Sequence, residues 1–255
     1  MQSKEIFTLG LGLTPPWQLK DQQLKLDKKP HELHLRIESK RGSTYPCPKC
    51  GKACKAHDFT ELTWRHLNFS QHHCYLTASV PRTNCPDHGV VKRIQVPWAR
   101  KGSKFTLLFE QAAMTLVRKM PVLSATRIME ITDTRLWRVV HYYVEQAVSR
   151  LDLSQLTAFG LDETASKRGH NYVTVFIDLE RDTKPVIFAT PGKGKATVES
   201  FRQFMQNHGG DTDNIVEVVC DMSKAFLAAT AEHFPYARQT VDWFHVVQLY
   251  IRMPD

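Results

Sequence analysis

Two short motifs in the first hundred residues carry side chains that bind metals. Cys47 and Cys50 are separated by two residues, Cys85 and His88 have the same spacing, and a glycine follows each pair. Thiolate and imidazole groups on two such knuckles are typical ligands of tetrahedral Zn²⁺, and four protein ligands leave no position for a substrate. The motifs therefore predict a structural zinc site. The alternative is that buried thiols lie near one another by chance.

The remaining cysteines leave the ligand set open. Cys54 and His57 follow the first knuckle closely and could replace one of its ligands. Cys74 and Cys220 lie in apolar, strand-like segments, where a thiol is more often a packing group than a ligand. Six irregularly spaced cysteines without a secretion signal favour a reducing compartment, so we expect a cytoplasmic protein.

Two aspartates follow strand-like segments in the second half of the chain. Asp162 ends the segment LTAFGLD, and Asp221 ends NIVEVVCD. If these strands are neighbours in one sheet, the carboxylates converge and can bind a hard cation such as Mg²⁺ or Mn²⁺. Such ions promote attack of water or a 3′-hydroxyl on a phosphodiester. Taken singly, each aspartate is more typical of a turn or a helix cap, and only the pair predicts a site.

Three amphipathic segments between these regions have helical periodicity. They run from Thr106 to Arg118, through LSATRIMEI, and from a Thr132 cap onward. The third is expected to bury Leu136, Val139, Val140, Tyr143 and Val144 on one face. The tight connection before it predicts a helix-turn-helix whose third helix enters the major groove of DNA. The candidate DNA contacts are Arg118, Lys119, Arg127, Arg135 and Arg138. A helical bundle with a solvated charged face is the alternative.

The charge is distributed unevenly along the 255 residues. Residues 1–150 contain 24 Lys and Arg against 12 Asp and Glu, a net formal charge of +12, whereas residues 151–255 have a net charge of −4. A basic half joined to an acidic half indicates a polyanion-binding part attached to a different activity. No apolar run is long enough to span a membrane, so no membrane partner is expected.

These patterns predict an α+β multidomain protein with three parts. Residues 1–100 are expected to form a small β-rich zinc-binding domain, in which the segment HELHLRIES directs Leu33, Leu35 and Ile37 to one face. Residues 101–150 are expected to form the helix-turn-helix domain. Residues 151–255 alternate strand and helix patterns and are expected to form an α/β domain.

Several motifs together resemble the ISL3 family of bacterial insertion-sequence transposases. They are CPKCG, NCPDHG, VPWARKGSKFTLLFE, DTRLWRV, GLDETASKRGHNYVTVFIDLE, CDMSKAF and DWFHVVQL. The resemblance implies a zinc-binding domain, a helix-turn-helix and a ribonuclease-H-like domain with an Asp, Asp, Glu metal triad. It also implies that Asp162 and Asp221 are the first two triad members, and that Asp242 and His245 form a supporting Asp-x-x-His motif.

The sequence departs from this family at its C-terminus. The resemblance places the third carboxylate well beyond the Asp-x-x-His motif, and no residue here matches it, so we expect an incomplete catalytic domain. The first hypothesis is a transposase that binds terminal inverted repeats and cuts and joins DNA, as a homo-oligomer on DNA in the nucleoid. In that case this chain is expected to have lost turnover. The second hypothesis is a non-catalytic DNA-binding fragment that regulates transposition.

Overall fold

The computed structural model describes residues 3–89, 91–167, 169, 171–243 and 247, and divides the chain into two compact units. Unit one comprises residues 1–144 and unit two residues 145–255. Among the described residues, unit one contains a short N-terminal helix, a β-sheet and, after the sheet, two helices and the start of a third. Unit two contains a second sheet with its own helices. The predicted α+β multidomain class is confirmed. The boundary predicted near residue 100, inside unit one, stays a prediction.

A six-stranded sheet dominates the first part of unit one. Its elements are a helix, α1 (Ser3–Gly10), and strands β1 (Trp17–Lys25), β2 (Glu32–Ser39), β3 (Thr44–Pro46), β4 (Ala53–Phe69), β5 (His72–Asn84) and β6 (Val91–Arg93). The strand order is β1-β2-β5-β4-β3, with β6 paired to β5. All pairs are antiparallel except β2 with β5.

The alternating segment predicted as a strand is β2, and its apolar face is buried as expected. Leu33, Leu35 and Ile37 all lie in the core of the sheet. Trp98, which lies beyond the last strand, packs edge-on against Trp17 and Trp64, with ring centroids 5.0 and 5.7 Å apart. Such edge-to-face contacts add to the free energy gained by burying the rings. The segment after the sheet is therefore anchored to the sheet core.

Three helices follow: α2 (Leu107–Val117), α3 (Val122–Met129) and α4 (Asp133–Val148). The Thr106 hydroxyl caps α2 by accepting a hydrogen bond from the Phe109 amide. Between α3 and α4, Glu130 adopts a left-handed conformation with φ of 53°, which is unusual for a residue other than glycine. Its carboxylate accepts hydrogen bonds from His73 and Asn68, so the β4–β5 hairpin supports this turn.

The three helices were predicted at the correct positions, but one part of the predicted face of α4 is wrong. Leu136 and Val139 are buried, and Val140 and Tyr143 pack against the same cluster. Val144, in contrast, is 49 % exposed. Within the part of the chain that was predicted to be β-rich, Ser3–Gly10 instead forms a helix, α1.

Glu110 ties α2 to its neighbours through a fully buried carboxylate. The carboxylate accepts hydrogen bonds from Arg100 at 2.9 Å, Ser103 at 2.6 Å and Tyr143 at 2.9 Å. Burial, together with the hydrogen bond to Glu110, raises the pKa of Tyr143 to about 12. A buried carboxylate is tolerated because a cation and two hydroxyls satisfy it. The segment before α2 and helix α4 are thus held to one point.

Among the described residues, unit two contains a five-stranded sheet with α-helices between its strands. Its elements are β7 (Ala158–Lys167), β8 (Asn171–Asp178), β9 (Val186–Pro191), α5 (Lys195–Asn207), β10 (Glu217–Cys220), α6 (Lys224–His233) and β11 (Arg238–Val241), with a 3₁₀ turn at Thr212–Asn214. The strand order is β11-β10-β7-β8-β9. β7, β10 and β11 run parallel, and β8 and β9 continue the sheet antiparallel. Phe159, Phe176 and Phe201 stack in the core beneath it.

Replacing Glu110 with Gln is expected to lower the free energy of unfolding of unit one by about 2 to 4 kcal/mol, because Arg100 loses its charged partner in a buried setting. Denaturant titration followed by tryptophan fluorescence measures this change, since four of the five tryptophans lie in unit one. Glu61→Gln is the control, because the Glu61–Arg36 pair is exposed and is expected to contribute less than about 1 kcal/mol. Equal stability of the two variants would contradict the assigned role of Glu110.

Candidate functional site

The four predicted zinc ligands come together in unit one. One ligand atom from each of Cys47, Cys50, Cys85 and His88 lies within 4.8 Å of the others. The Sγ atoms of Cys50 and Cys85 are 3.8 Å apart, and Nδ1 of His88 lies 3.7 Å from Sγ of Cys47 and 3.4 Å from Sγ of Cys85. A tetrahedral ion with Zn–S bonds of about 2.3 Å requires S···S separations of about 3.8 Å. The donor set therefore fits Zn²⁺ in both chemistry and spacing.

Backbone turns hold the ligands in this arrangement. The amides of Gly51 and Gly89 donate to the carbonyls of Cys47 and Cys85, each at 2.9 Å. Both glycines have positive φ, of 74° and 58°, which a residue with a Cβ adopts at a cost. Hydrogen bonds from the amides of Lys49 and Cys50 lower the pKa of Cys47 to about 6. The backbone around Cys47 thus favours the thiolate form of this side chain, which is the form that a metal ion binds.

The alternative ligands lie outside this set in the part of the chain that the structure describes. The Cys54 thiol is buried beside Cys47 and Cys85 but donates to the carbonyl of Lys52 at 3.3 Å. His57 lies 3.4 Å from the carboxylate of Asp58. Burial raises the pKa values of Cys74 and Cys220 to about 11, so both thiols stay neutral, in keeping with a packing role.

A second candidate site lies at one edge of the sheet in unit two. β7 and β10 are adjacent and parallel, with Gly160 opposite Val219. Continuing this register by two residues places Asp162 beside Asp221. Cys220 lies opposite Val241, and the amide of Asp242 donates to the Cys220 carbonyl at 2.8 Å. Asp221 and Asp242 therefore follow the carboxyl ends of β10 and β11. Asp162 lies beside them within β7, which continues five residues further, so the prediction that Asp162 ends its strand is wrong.

The aspartate side chains also make local hydrogen bonds. Asp162 accepts from the Glu163 amide at 2.7 Å, and Asp221 accepts from the Ser223 amide at 2.9 Å, just before α6. Among the described residues the three aspartates do not form a cluster as tight as that of the zinc ligands. Asp162 is exposed, and Asp221 and Asp242 are half-buried. In Asp162 and Asp221, these backbone hydrogen bonds use one carboxylate oxygen and leave the other to a further ligand. His245 lies outside the described residues.

The candidate DNA contacts lie on the surface of the three helices. The side chains of Arg118, Lys119, Arg127, Arg135 and Arg138 are all exposed. The Arg135 guanidinium lies over the Phe105 ring, 4.5 Å from its centroid, so part of its interaction energy is spent within the protein. Within the part of the chain that the structure describes, the Arg138 guanidinium neither lies over an aromatic ring nor forms an ion pair.

Two further residues, Trp137 and His141, lie on the exposed face of α4. Trp137 is 44 % exposed, and its ring lies 5.7 Å from that of His141. With Arg138 they occupy positions i, i+1 and i+4 opposite the buried Leu136 and Val139, so they share one solvent-facing surface. The helical spacing of the apolar residues contains this information, because the face opposite the core is fixed once the core face is known.

Comparison with known proteins assigns the same three parts to one family. The zinc-finger model of transposases IS204, IS1001, IS1096 and IS1165 matches residues 43–88. The helix-turn-helix model of transposase family ISL3 matches residues 94–144, and the transposase model of that family matches residues 159–255. The chain belongs to the ISL3 family of insertion-sequence transposases. The predicted resemblance is confirmed.

Two curated ISL3-type relatives align with most of the chain. The transposase for insertion sequence element IS1557 of Mycobacterium tuberculosis is 29 % identical over 215 residues, which are 83 % of this chain and 47 % of that protein. The transposase for IS1001 of Bordetella parapertussis is 27 % identical over 207 residues, which are 81 % of this chain and 50 % of that protein. The chain therefore spans about half the length of the curated relatives it matches.

The family assignment supports the chemistry of both metal sites. A zinc-finger match that contains all four clustered ligands supports structural zinc in unit one. The transposase domain in unit two implies a divalent metal ion. Within the described residues, no helix is long and apolar enough to cross a membrane.

The ligand assignment predicts the zinc content of two variants. Cys85→Ser is expected to lose most of the bound zinc, because a hydroxyl is a poor replacement for a thiolate ligand. Cys54→Ser, the matched control, is expected to keep about one zinc ion per chain, as the wild type does. Elemental analysis of the purified proteins by mass spectrometry measures both. Zinc loss in Cys54→Ser, or full zinc content in Cys85→Ser, would contradict the assignment.

Proposed function

We propose that the whole protein is a transposase that binds the terminal inverted repeats of its insertion sequence and catalyses metal-dependent cleavage and strand transfer into target DNA. The observation that carries this proposal is the placement of Asp162 and Asp221 side by side on adjacent parallel strands, in a chain that also has the family's zinc finger and helix-turn-helix. Its DNA substrate places the activity at the nucleoid, in the bacterial cytoplasm, and a homo-oligomer would hold the two ends of the element together.

The zinc finger supports the DNA-binding part without taking part in the reaction. Cys47, Cys50, Cys85 and His88 would hold Zn²⁺, which joins the start of β4 to the end of β5 across a long stretch of chain. Structural zinc of this type contributes about 10 to 16 kcal/mol of apparent binding free energy to folding. Since β4 and β5 also support the turn at Glu130, zinc stabilises the part of the unit that carries the helix-turn-helix.

In DNA binding, α4 acts as the recognition helix. Its exposed surface carries Arg138 and Arg135, and Arg127 lies near the end of the preceding helix. Arginine side chains on such a helix can bind guanine edges or phosphates. Arg118 and Lys119 follow α2 and are suited to phosphate contacts, which position a protein on DNA without reading its sequence.

In the reaction, Asp162 and Asp221 would hold the divalent ion through carboxylate oxygens, the ligands that Mg²⁺ and Mn²⁺ prefer. The bound metal would supply activation of the attacking oxygen and stabilisation of the leaving oxygen. Asp242 follows the neighbouring strand and would contribute negative charge at the same edge. His245, three residues later, would support the site from the following segment, as the family motif implies.

A cleavage assay tests this function directly. The assay incubates the protein with duplex DNA from an element end and Mg²⁺ or Mn²⁺ and measures nicking at that end. Two proteins are compared: this chain alone, and a longer protein in which the chain is extended to the full length of its relatives. Nicking is expected in the longer protein and is expected to fall at least about 100-fold in Asp162→Asn or Asp221→Asn, because each variant removes a charged metal ligand.

The same assay separates the proposed transposase from the second candidate, a non-catalytic DNA-binding regulator of transposition. A longer protein that binds element ends without nicking them would favour the regulator. Nicking that is unchanged in both aspartate variants would overturn the assigned metal ligands.

A further inference from the structure

A groove of about 610 Å³ runs along unit one between the first zinc knuckle, the β4–β5 hairpin and the segment that leads to α2. Its cationic wall consists of Lys49, Arg93, Lys101 and Lys104, and we call it the basic groove. Its apolar floor includes Trp64, Val80, Ile94, Val96 and Ala99, which are buried in the sheet core. None of the described residues that line it is acidic.

The four wall cations are available to a ligand. Lys49, Arg93, Lys101 and Lys104 are exposed, and no ion pair is found for them among the described residues. Arg100 also lines the groove but is held by Glu110 at 2.9 Å and lies over the Tyr142 ring at 3.9 Å. Arg100 is thus paired within the protein, whereas Lys49, Arg93, Lys101 and Lys104 face solvent.

A concave surface with one sign of charge and an apolar floor concentrates the electrostatic field. We propose that the basic groove binds the phosphate backbone of duplex DNA, at a surface distinct from the recognition helix α4. This inference rests on the proposed function, because it extends the protein's DNA contact rather than replacing it. The chemistry of lysine and arginine against phosphate carries no sequence information, so the groove contributes affinity and register but not specificity.

Two features fix the shape of the groove. Lys49 and Pro48 lie between two zinc ligands, Cys47 and Cys50, so the metal site sets one wall. The opposite wall is held by the Ser103 hydroxyl, which donates to Glu110, and by the Lys104 carbonyl, which accepts from the Arg65 amide at 2.9 Å. A preorganised groove loses less conformational entropy when it binds DNA.

The test compares two triple variants of the chain by fluorescence anisotropy, with an element-end duplex and an unrelated duplex, over a range of salt concentrations. R93A/K101A/K104A removes three of the four wall charges and keeps Lys49, which lies between two zinc ligands. K29A/K40A/R41A is the matched control, because it removes one arginine and two lysines that are also exposed but lie elsewhere on unit one. Circular dichroism and zinc content establish that both variants fold.

The groove variant is expected to bind both duplexes about tenfold or more weakly, with a slope of log Kd against log salt that is shallower by about 2 to 3. The control is expected to bind as the wild type does. A groove variant that matches the control, or that loses affinity for the element end alone, would overturn the inference.

A third variant distinguishes this failure from failure of the proposed function. Arg138→Ala on α4 is expected to reduce the preference for the element end while leaving the groove intact. If Arg138→Ala behaves in this way and the groove variant binds normally, the groove inference fails and the DNA-binding function stands. If the wild-type chain binds neither duplex, both fail.

Discussion

The parallel pairing of β7 with β10 is the constraint on which the proposed chemistry depends. It sets Gly160 opposite Val219, and so brings Asp162 and Asp221, which are far apart in sequence, to the same edge of the sheet. The parallel pairing of β10 with β11 adds Asp242 to that edge. Because successive side chains of a strand point to opposite faces of the sheet, a shift of one strand by a single residue would turn its aspartate to the opposite face. The phenylalanine core beneath the sheet opposes such a shift.

In unit one, the structure holds a basic surface in place around the segment that leads to α2. Three anchors act together: the zinc cluster at the ends of β4 and β5, the tryptophan contacts of Trp98, and the buried Glu110 network. Each fixes the segment before α2 or the strands beside it. The hydrogen bonds from His73 and Asn68 to Glu130 extend this support to the turn of the helix-turn-helix. The proposed DNA-binding surfaces therefore depend on metal binding and on buried polar contacts as well as on the apolar core.

Sequence patterns predicted much of this arrangement, because periodicity and ligand spacing are local properties. The alternation around Leu35, the Cys47–Cys50 knuckle and the helical segments could all be read in this way. The pairing of β7 with β10, on which the predicted aspartate site was conditional, joins distant segments and is supplied by the structure.

The wrong or missing predictions depend on contacts between distant segments. Glu110 reads as an ordinary helical acid until Arg100, Ser103 and Tyr143 are brought to it. Arg135 reads as a free cation until Phe105 lies beneath it. Ser3–Gly10 follows an apolar pattern too short to separate helix from strand. The basic groove was not anticipated, since its wall comes from residues on either side of the hairpin.

Binding of Mn²⁺ to the chain tests the central claim most directly, because it requires the aspartate edge but neither DNA nor turnover. Electron paramagnetic resonance measures the bound fraction as Mn²⁺ is added. Asp182→Asn is the control, because it changes an exposed aspartate other than Asp162, Asp221 and Asp242. The wild type and this control are expected to bind Mn²⁺ equally. Asp162→Asn and Asp221→Asn are each expected to bind less Mn²⁺. Equal binding by all four proteins would contradict the assignment of this edge as the metal site.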